Sequence, residues 1–300
     1  MATGAAPLWF TSLAGLGAAY LTVVFLRLLP YLALYLRRPK DLRRCYGEWA
    51  VVTGPTTGLG RSMAMELARR GFNLVLLDLD RDNLREVSEA IREAHAGAVA
   101  TRTVVFDLST VGTGAGEEGM RRLREAVDGV EVGMLVNNAA VARPGALYFH
   151  EADVERLVAM IRVNAMALTA VTAAVLPAMA RRGRGAIVNV GSGSTVALSK
   201  SLYVEYKGKG IDVQLQVPFY VHTNMLSAAI KDRMLLPAFV ATPDDYTRAA
   251  ARWVGHGHIA VPDAGQQLQW FLAAFVPDFA HDWYRLRKHL QHRAILWNLI

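Results

Sequence analysis

Ala50-Val51-Val52-Thr53-Gly54-Pro55-Thr56-Thr57-Gly58-Leu59-Gly60 reads as a short buried strand that turns sharply into a helix. The run to Thr53 is apolar and β-branched, and amphipathic spacing takes over across Arg61–Arg70. Glycines between a strand and a helix let the main chain approach a pyrophosphate, which sits at the positive end of the helix dipole. This context assigns Gly54, Thr57, Gly58, Leu59 and Gly60 to a dinucleotide-binding turn.

Further along the chain the same alternation recurs. Apolar runs at Asn73–Leu77, Thr101–Phe106, Gly133–Val136, Ala186–Val190 and Ile211–Val217 have the length of buried parallel strands. Helical patterns lie between them at Asp82–Ala94, Gly119–Val127 and Glu151–Ala180. The expected fold is therefore α/β, a Rossmann-type doubly wound parallel sheet with ligands at the C-terminal ends of its strands. No linker rich in Pro, Gly or Ser divides it, so residues 46–300 are expected to form one domain.

In the other direction, Leu8–Leu36 is almost wholly apolar, interrupted by Arg27 and Pro30. A membrane span needs roughly 20 such residues. Arg37, Arg38, Lys40, Arg43 and Arg44 follow it, which places the rest of the chain on the cytosolic side. Residues 1–45 are thus expected to be a transmembrane helix with its basic flank. The basic residues come after the apolar stretch, the reverse of a cleaved signal peptide.

Composition limits the alternatives. The chain has 300 residues, 53% of them hydrophobic, enough for a sizeable core. Its one cysteine, Cys45, excludes an internal disulfide framework and suits a reducing compartment. The net charge of +7 lies in short separate clusters without a recognised nucleic-acid motif, so no nucleic-acid partner is expected. His256 and His258 flank Gly257 without convincing partners, so no metal site is expected.

The glycine turn, T-G-x-x-x-G-x-G, resembles the nucleotide signature of the short-chain dehydrogenase/reductases. Three later segments agree with it. Asn137-Asn138-Ala139-Ala140 resembles the family's N-N-A-G and implies cofactor roles for Asn137 and Asn138. Asn164 resembles the catalytic-tetrad asparagine. Ser192, in Val188-Asn189-Val190-Gly191-Ser192-Gly193, resembles the serine that orients the substrate carbonyl. Pro218 to Thr223 resembles the P-G-x-V-x-T cofactor segment, with Phe219 in place of glycine and Thr223 on the cofactor.

Within that superfamily the chain is most similar to the microsomal very-long-chain 3-oxoacyl-CoA reductases. Tyr46-Gly47-Glu48-Trp49, Ser201-Leu202-Tyr203-Val204-Glu205-Tyr206-Lys207 and Val217-Pro218-Phe219-Tyr220-Val221 carry the likeness. The resemblance implies a long-chain acyl-CoA substrate, a nicotinamide cofactor, residence at the endoplasmic reticulum membrane and association with other fatty-acid elongation enzymes. Membrane-linked hydroxysteroid dehydrogenases share most of these motifs. The resemblance leaves the oligomeric state open.

Catalysis in the family needs a tyrosine that protonates the carbonyl and a lysine four residues on that lowers the tyrosine's pKa from about 10. Here the connection from Gly191 to Gly210 is short, only a little above the roughly dozen residues a parallel crossover requires. Tyr203 and Lys207 form a Y-x-x-x-K, yet their surroundings match the distal part of the family helix. A helix starting near Leu198 would put Tyr203 roughly 8 Å and Lys207 roughly 14 Å below the catalytic end. Two readings follow: an accidental spacing on a packed helix, or a pair shifted upward into the site. The first leaves a cofactor-binding chain with impaired turnover, the second a working reductase.

Asp78 closes the second strand, where a carboxylate accepts hydrogen bonds from an adenosine ribose and repels a 2′-phosphate. It favours NADH, whereas the resemblance implies NADPH. Arg81 lies near enough in sequence to compensate. Asp107, after the third strand, is by position either an adenine contact or a helix cap. Met225–Val240, rich in Met, Leu and Ala, has the composition of an acyl-channel wall or of an ordinary packed loop.

Overall fold

The computed structural model of the protein describes residues 7–142, 147–191, 193–225 and 240–297. It divides into two compact units, Met1–Pro39 and Lys40–Ile300.

The first unit is one helix, α1 (Leu8–Leu36), of 29 residues, which continues through Pro30. At 1.5 Å per residue it is about 44 Å long. Leu8, Trp9, Leu13, Leu16, Leu21 and Phe25 are exposed around it, and Leu8–Leu26 has the length and apolarity of a membrane span with none of it buried. A helix apolar on every side is a membrane candidate, because water offers those faces no partner.

The second unit is a seven-stranded sheet in the order β3-β2-β1-β4-β5-β6-β7 with every pairing parallel. Its strands are β1 (Trp49–Thr53), β2 (Asn73–Asp78), β3 (Thr101–Val105), β4 (Val132–Asn137), β5 (Gly185–Val190), β6 (Ile211–Gln216) and β7 (Ile259–Ala260). Six of them match the apolar runs in the sequence; β7, two residues long, carries no such signal. Side chains alternate between two cores. Ala50, Val52, Leu74, Leu76 and Val136 face one, and Val51, Val75, Leu77, Leu135 and Ile187 the other. Burial on both faces is what a continuous apolar strand requires, and each such side chain contributes roughly 1.5–3 kcal/mol.

The first core is covered by α2 (Leu42–Tyr46), α3 (Gly58–Arg69), α4 (Arg81–Ala94) and α9 (Pro243–Trp253), through Leu42, Leu67, Leu84 and Tyr246 among others. The second is covered by α5 (Gly114–Val127) and α7 (Leu168–Arg182), through Leu123, Val171, Val175 and Met179. Leu42 and Tyr46 join the first core, so the sheet unit takes up the chain from Lys40. Lys40 Nζ donates to the Asp212 carboxylate at 3.1 Å and to the Gly255 carbonyl at 3.2 Å, and the Tyr46 hydroxyl donates to the same carboxylate at 2.5 Å. Burial and that carboxylate push the Tyr46 phenol above its ordinary range.

The long helical pattern from Glu151 is not one helix. It resolves into α6 (Val154–Ile161), a π-helical turn over Arg162–Ala167, and α7. By length and apolarity Val154–Arg182 also passes as a membrane span, but a third of it is buried and α7 packs on the sheet. The crossover from β5 to β6 is made by α8 (Gly193–Tyr206), and β5 and β6 pair without a register break from Gly185↔Ile211 to Val190↔Gln216. This helix begins five residues before Leu198, so Tyr203 lies deeper along it than the sequence implied. Two more helices, α10 (Ala264–Ala273) and α11 (Asp278–Trp297), end the chain.

Candidate functional site

A cavity of about 730 Å³ opens at the C-terminal ends of the strands, beside the β1–β4 pair where the strand order reverses. Reversal parts the loops above neighbouring strands, which leaves a crevice there. Its floor is the glycine turn. Gly54 has φ +67° and Gly58 φ +53°, backbone states that side chains rarely adopt. A Cβ on Gly54 would lie 2.9 Å from Ala139 Cα, and one on Gly60 only 1.9 Å from the Gly54 carbonyl oxygen. The turn is therefore a cradle that only glycine forms. Thr57 is the N-cap of α3 without a side-chain cap bond, and Gly58 and Leu59 line the cavity. Main-chain amides at such a helix start suit an anionic ligand.

Around this floor the strand tips are tied together. Thr53 Oγ1 accepts from the backbone N–H groups of Asn138 and Ala139 at 3.0 Å each, while Asn138 Nδ2 donates to the carbonyls of Thr53 and Gly54 at 3.1 Å. Asp78 lines the cavity and accepts from Thr56 Oγ1 at 2.7 Å and from the Leu79 N–H at 2.7 Å. Asp107 also lines it, and its carboxylate accepts from Ser109 N–H at 2.9 Å, capping a short 3-10 turn. The cap and a ligand-facing position thus coexist. Arg81, the first residue of α4, is not among the described residues that line the cavity.

Asn164 sits in the π-helical turn and holds Val141 by both main-chain groups: Oδ1 accepts from Val141 N–H at 2.8 Å and Nδ2 donates to its carbonyl at 2.9 Å. An extra residue per turn re-aims a side chain without ending the helix, which is why such turns mark functional positions. On the far wall are Gly191, Pro218, Phe219 and Thr223, with Thr223 packed against Gly58. Gln266, fully buried, accepts from Phe219 N–H at 3.1 Å and donates to the Tyr220 carbonyl at 3.0 Å. It fixes that wall, yet a lone glutamine on a helix carries no sequence signal. Thr56 was equally invisible, since any residue serves at that point of the glycine motif.

Three sequence expectations are placed differently. Asn137 does not line the cavity: it is buried below it, donating to Thr172 Oγ1 at 3.0 Å and Asn189 Oδ1 at 2.9 Å. As the last residue of β4 it points into the packed face, and Asn138 alone of the pair reaches the opening. Tyr203 and Lys207 are also absent from the cavity wall. Tyr203 packs against the second core with its ring 5.2 Å from that of His258, and Lys207 Nζ lies 5.3 Å from the Tyr203 ring. Ten residues along α8 put Tyr203 about 15 Å from the helix start. Ser192 and residues 226–239, most of the Met225–Val240 segment, lie outside the described residues. Among the described residues lining the cavity there is no tyrosine, histidine, lysine or arginine, and its ionisable side chains are Asp78 and Asp107.

A family model described as short chain dehydrogenase matches residues 48–198, ending before Tyr203. The chain is 39% identical over 297 residues to a very-long-chain 3-oxoacyl-CoA reductase-like protein of Arabidopsis thaliana, covering 92% of each chain. It is 34% identical over 229 residues to the very-long-chain 3-oxoacyl-CoA reductase of Anas platyrhynchos, covering 70% of this chain and 69% of that one. It is also 33% identical over 260 residues to inactive hydroxysteroid dehydrogenase-like protein 1 of Pongo abelii, covering 81% and 76%. A short-chain dehydrogenase from Sphingobium yanoikuyae, solved in complex with NADPH, aligns with a TM-score of 0.61 and 25% identity over 77% of this chain and 96% of that one.

Proposed function

The chain belongs to the short-chain dehydrogenase family, and from that premise we propose that it is a nicotinamide-binding protein of the very-long-chain 3-oxoacyl-CoA reductase type whose proton-donating pair does not serve the cleft. The observation that carries this is the pairing of an intact glycine cradle with a cavity wall that has no described phenol or ammonium group.

The chain's own residues fit a dinucleotide. Gly58 and Leu59 at the start of α3 would hold the diphosphate, Asp78 the adenosine ribose and Asp107 the adenine side. Asn138 and Thr223 would border the nicotinamide half, with Asn164 keeping the Val141 loop in place beside it. Bound there, the nicotinamide would supply a hydride for the 3-keto carbon of a long-chain acyl-CoA. Ser192 would orient that carbonyl. Among the described residues lining the cavity there is no phenol or ammonium group to donate a proton, and Tyr203 and Lys207 lie by His258 instead.

Residues 1–45 serve as the membrane anchor and its basic flank, and residues 46–300 as the dehydrogenase domain. Basic residues after the span orient that domain to the cytosolic face of the endoplasmic reticulum. There it would meet acyl-CoA and the other elongation enzymes. A working reductase, or one acting on hydroxysteroids, is the second reading. Asn164 and Gly191 at the cavity and the reductase names of two relatives favour it, whereas the relative named an inactive hydroxysteroid dehydrogenase-like protein favours the first.

Calorimetric titration of the detergent-solubilised full chain with NADH and NADPH, followed by single-turnover reduction of a long-chain 3-oxoacyl-CoA, separates the readings. Binding without turnover supports the proposal; turnover moves the assignment to a working reductase. Folded protein that binds neither coenzyme defeats both.

A further inference from the structure

The C-terminal helix α11 shows an apolar surface that the rest of its unit does not cover. Phe279, Trp283, Leu286 and Leu290 recur at intervals of four, three and four residues, which places them on one stripe of a helix about 60° wide. They are 77%, 60%, 54% and 44% exposed.

Its attachments come from His281 and His289 on other arcs of the helix and from Arg293 at the edge of the stripe. His281 Nε2 bonds the Ala273 carbonyl at 2.9 Å, the His289 ring lies 5.6 Å from that of Tyr148, and Arg293 grips both Glu151 oxygens at 2.5 and 2.6 Å. The helix is thus docked through polar side chains and leaves Phe279, Trp283, Leu286 and Leu290 outside. The preceding helix and the turn after it are similar: Leu268 and Leu272 on α10 and Phe275 and Val276 beyond it are exposed, and no charged residue occurs from Ala264 to Pro277.

Charge selects the occupant. From Trp283 onward α11 carries Arg285, Arg287 and Lys288 with no carboxylate of its own, besides the Arg293 already paired with Glu151, and the Arg287 guanidinium lies 5.2 Å from the Trp283 ring. A second copy of this helix would bring like charges together. An anionic surface answers both the stripe and the charge, and the positive potential acts over a Debye length of about 8 Å without direct contact. Tryptophan and tyrosine also favour the headgroup region of a bilayer.

We propose that α11, with the end of α10, lies along the surface of an anionic bilayer, its stripe from Phe279 to Leu290 seated among the lipid headgroups. This rests on the reading of residues 8–36 as a membrane span, and gives the dehydrogenase unit a membrane contact of its own. Interfacial helices bind by buried apolar area plus attraction to anionic lipid.

The test uses the full chain with Cys45→Ser, labelled with an environment-sensitive fluorophore at Leu286→Cys or at Arg285→Cys, in phosphatidylcholine vesicles with or without phosphatidylserine. At position 286 the emission should shift to the blue and iodide quenching fall several-fold below that at position 285, more so with phosphatidylserine. Equal quenching at the two positions overturns the proposal. Protection that grows with protein density at fixed lipid also overturns it, since a second copy then covers the stripe. Flotation reads the span separately: a chain that does not float with the vesicles refutes the anchor, whereas one that floats with an exposed probe at position 286 refutes only this contact.

Discussion

Thr56 Oγ1 donates to Asp78 Oδ2 at 2.7 Å, joining the glycine turn to the tip of β2. The carboxylate so held stands where an adenosine ribose would lie, and no arginine or lysine is among the described residues lining the cavity. A 2′-phosphate would face that carboxylate unneutralised. Wild-type protein is therefore expected to bind NADH more tightly than NADPH in calorimetric titrations. Asp78→Ala should weaken NADH binding by about 1.5–3 kcal/mol, the worth of hydrogen bonds to a charged group. Tighter binding of NADPH by the wild type would refute this account.

Gly60→Ala should fail for a packing reason. Its new methyl would meet the Gly54 carbonyl oxygen at 1.9 Å, whereas one at Gly114 would meet nothing within 4 Å. Overpacking costs typically about 1–3 kcal/mol. Thermal melts with and without coenzyme should show a lower Tm for Gly60→Ala and no coenzyme-induced rise, with Gly114→Ala behaving as wild type. A full coenzyme response in Gly60→Ala would show that the cradle is not the binding site.

Tyr203→Phe should leave coenzyme affinity and single-turnover reduction unchanged, because the Tyr203 ring packs by His258 and away from the cavity. Measurable turnover in the wild type that vanishes in this variant would return Tyr203 to the catalytic centre.

Glu151 is held at about 2, below its usual 4.5, first by the Arg293 guanidinium and then by the Tyr148 N–H. A carboxyl depressed on folding contributes stability above its unfolded value and loses it as pH falls through the folded one. Hydrogen-exchange protection along α11, taken relative to the intrinsic exchange rate at each pH, should thus fall as pH drops from 4.5 toward about 2. Glu151→Gln should remove that dependence, and added salt should weaken it in the wild type. Unaltered pH dependence in Glu151→Gln would assign the effect to other groups.

The sheet was legible because strands buried on both faces must be apolar throughout, so Asn73–Leu77 or Ala186–Val190 stand out without help from motifs. The two residues of β7 are too few for any period. The π-helical turn at Asn164 was hidden for the opposite reason: apolar spacing runs unbroken through it, and the extra residue shows only in the main chain. At the site, the glycine turn could be read because its spacing has a steric cause. Asn137 and Asn138 could not be told apart, since a motif names residue types and the strand's pleat decides which one faces the opening. Tyr203 and Lys207 meet the spacing rule, yet neither is among the described residues lining the cavity, because the start of α8 fixes how deep each residue lies.

The unbroken register between β5 and β6 has a consequence for how such a protein persists. A crossover of this length delivers β6 to its hydrogen-bond partners without a break, so closing the sheet does not depend on which side chains the crossover carries. Quality control in the cell inspects exposed apolar surface and unpaired edges, and it would pass this sheet. The architecture and the chemistry are therefore set by different residues, and only a functional assay reads the second.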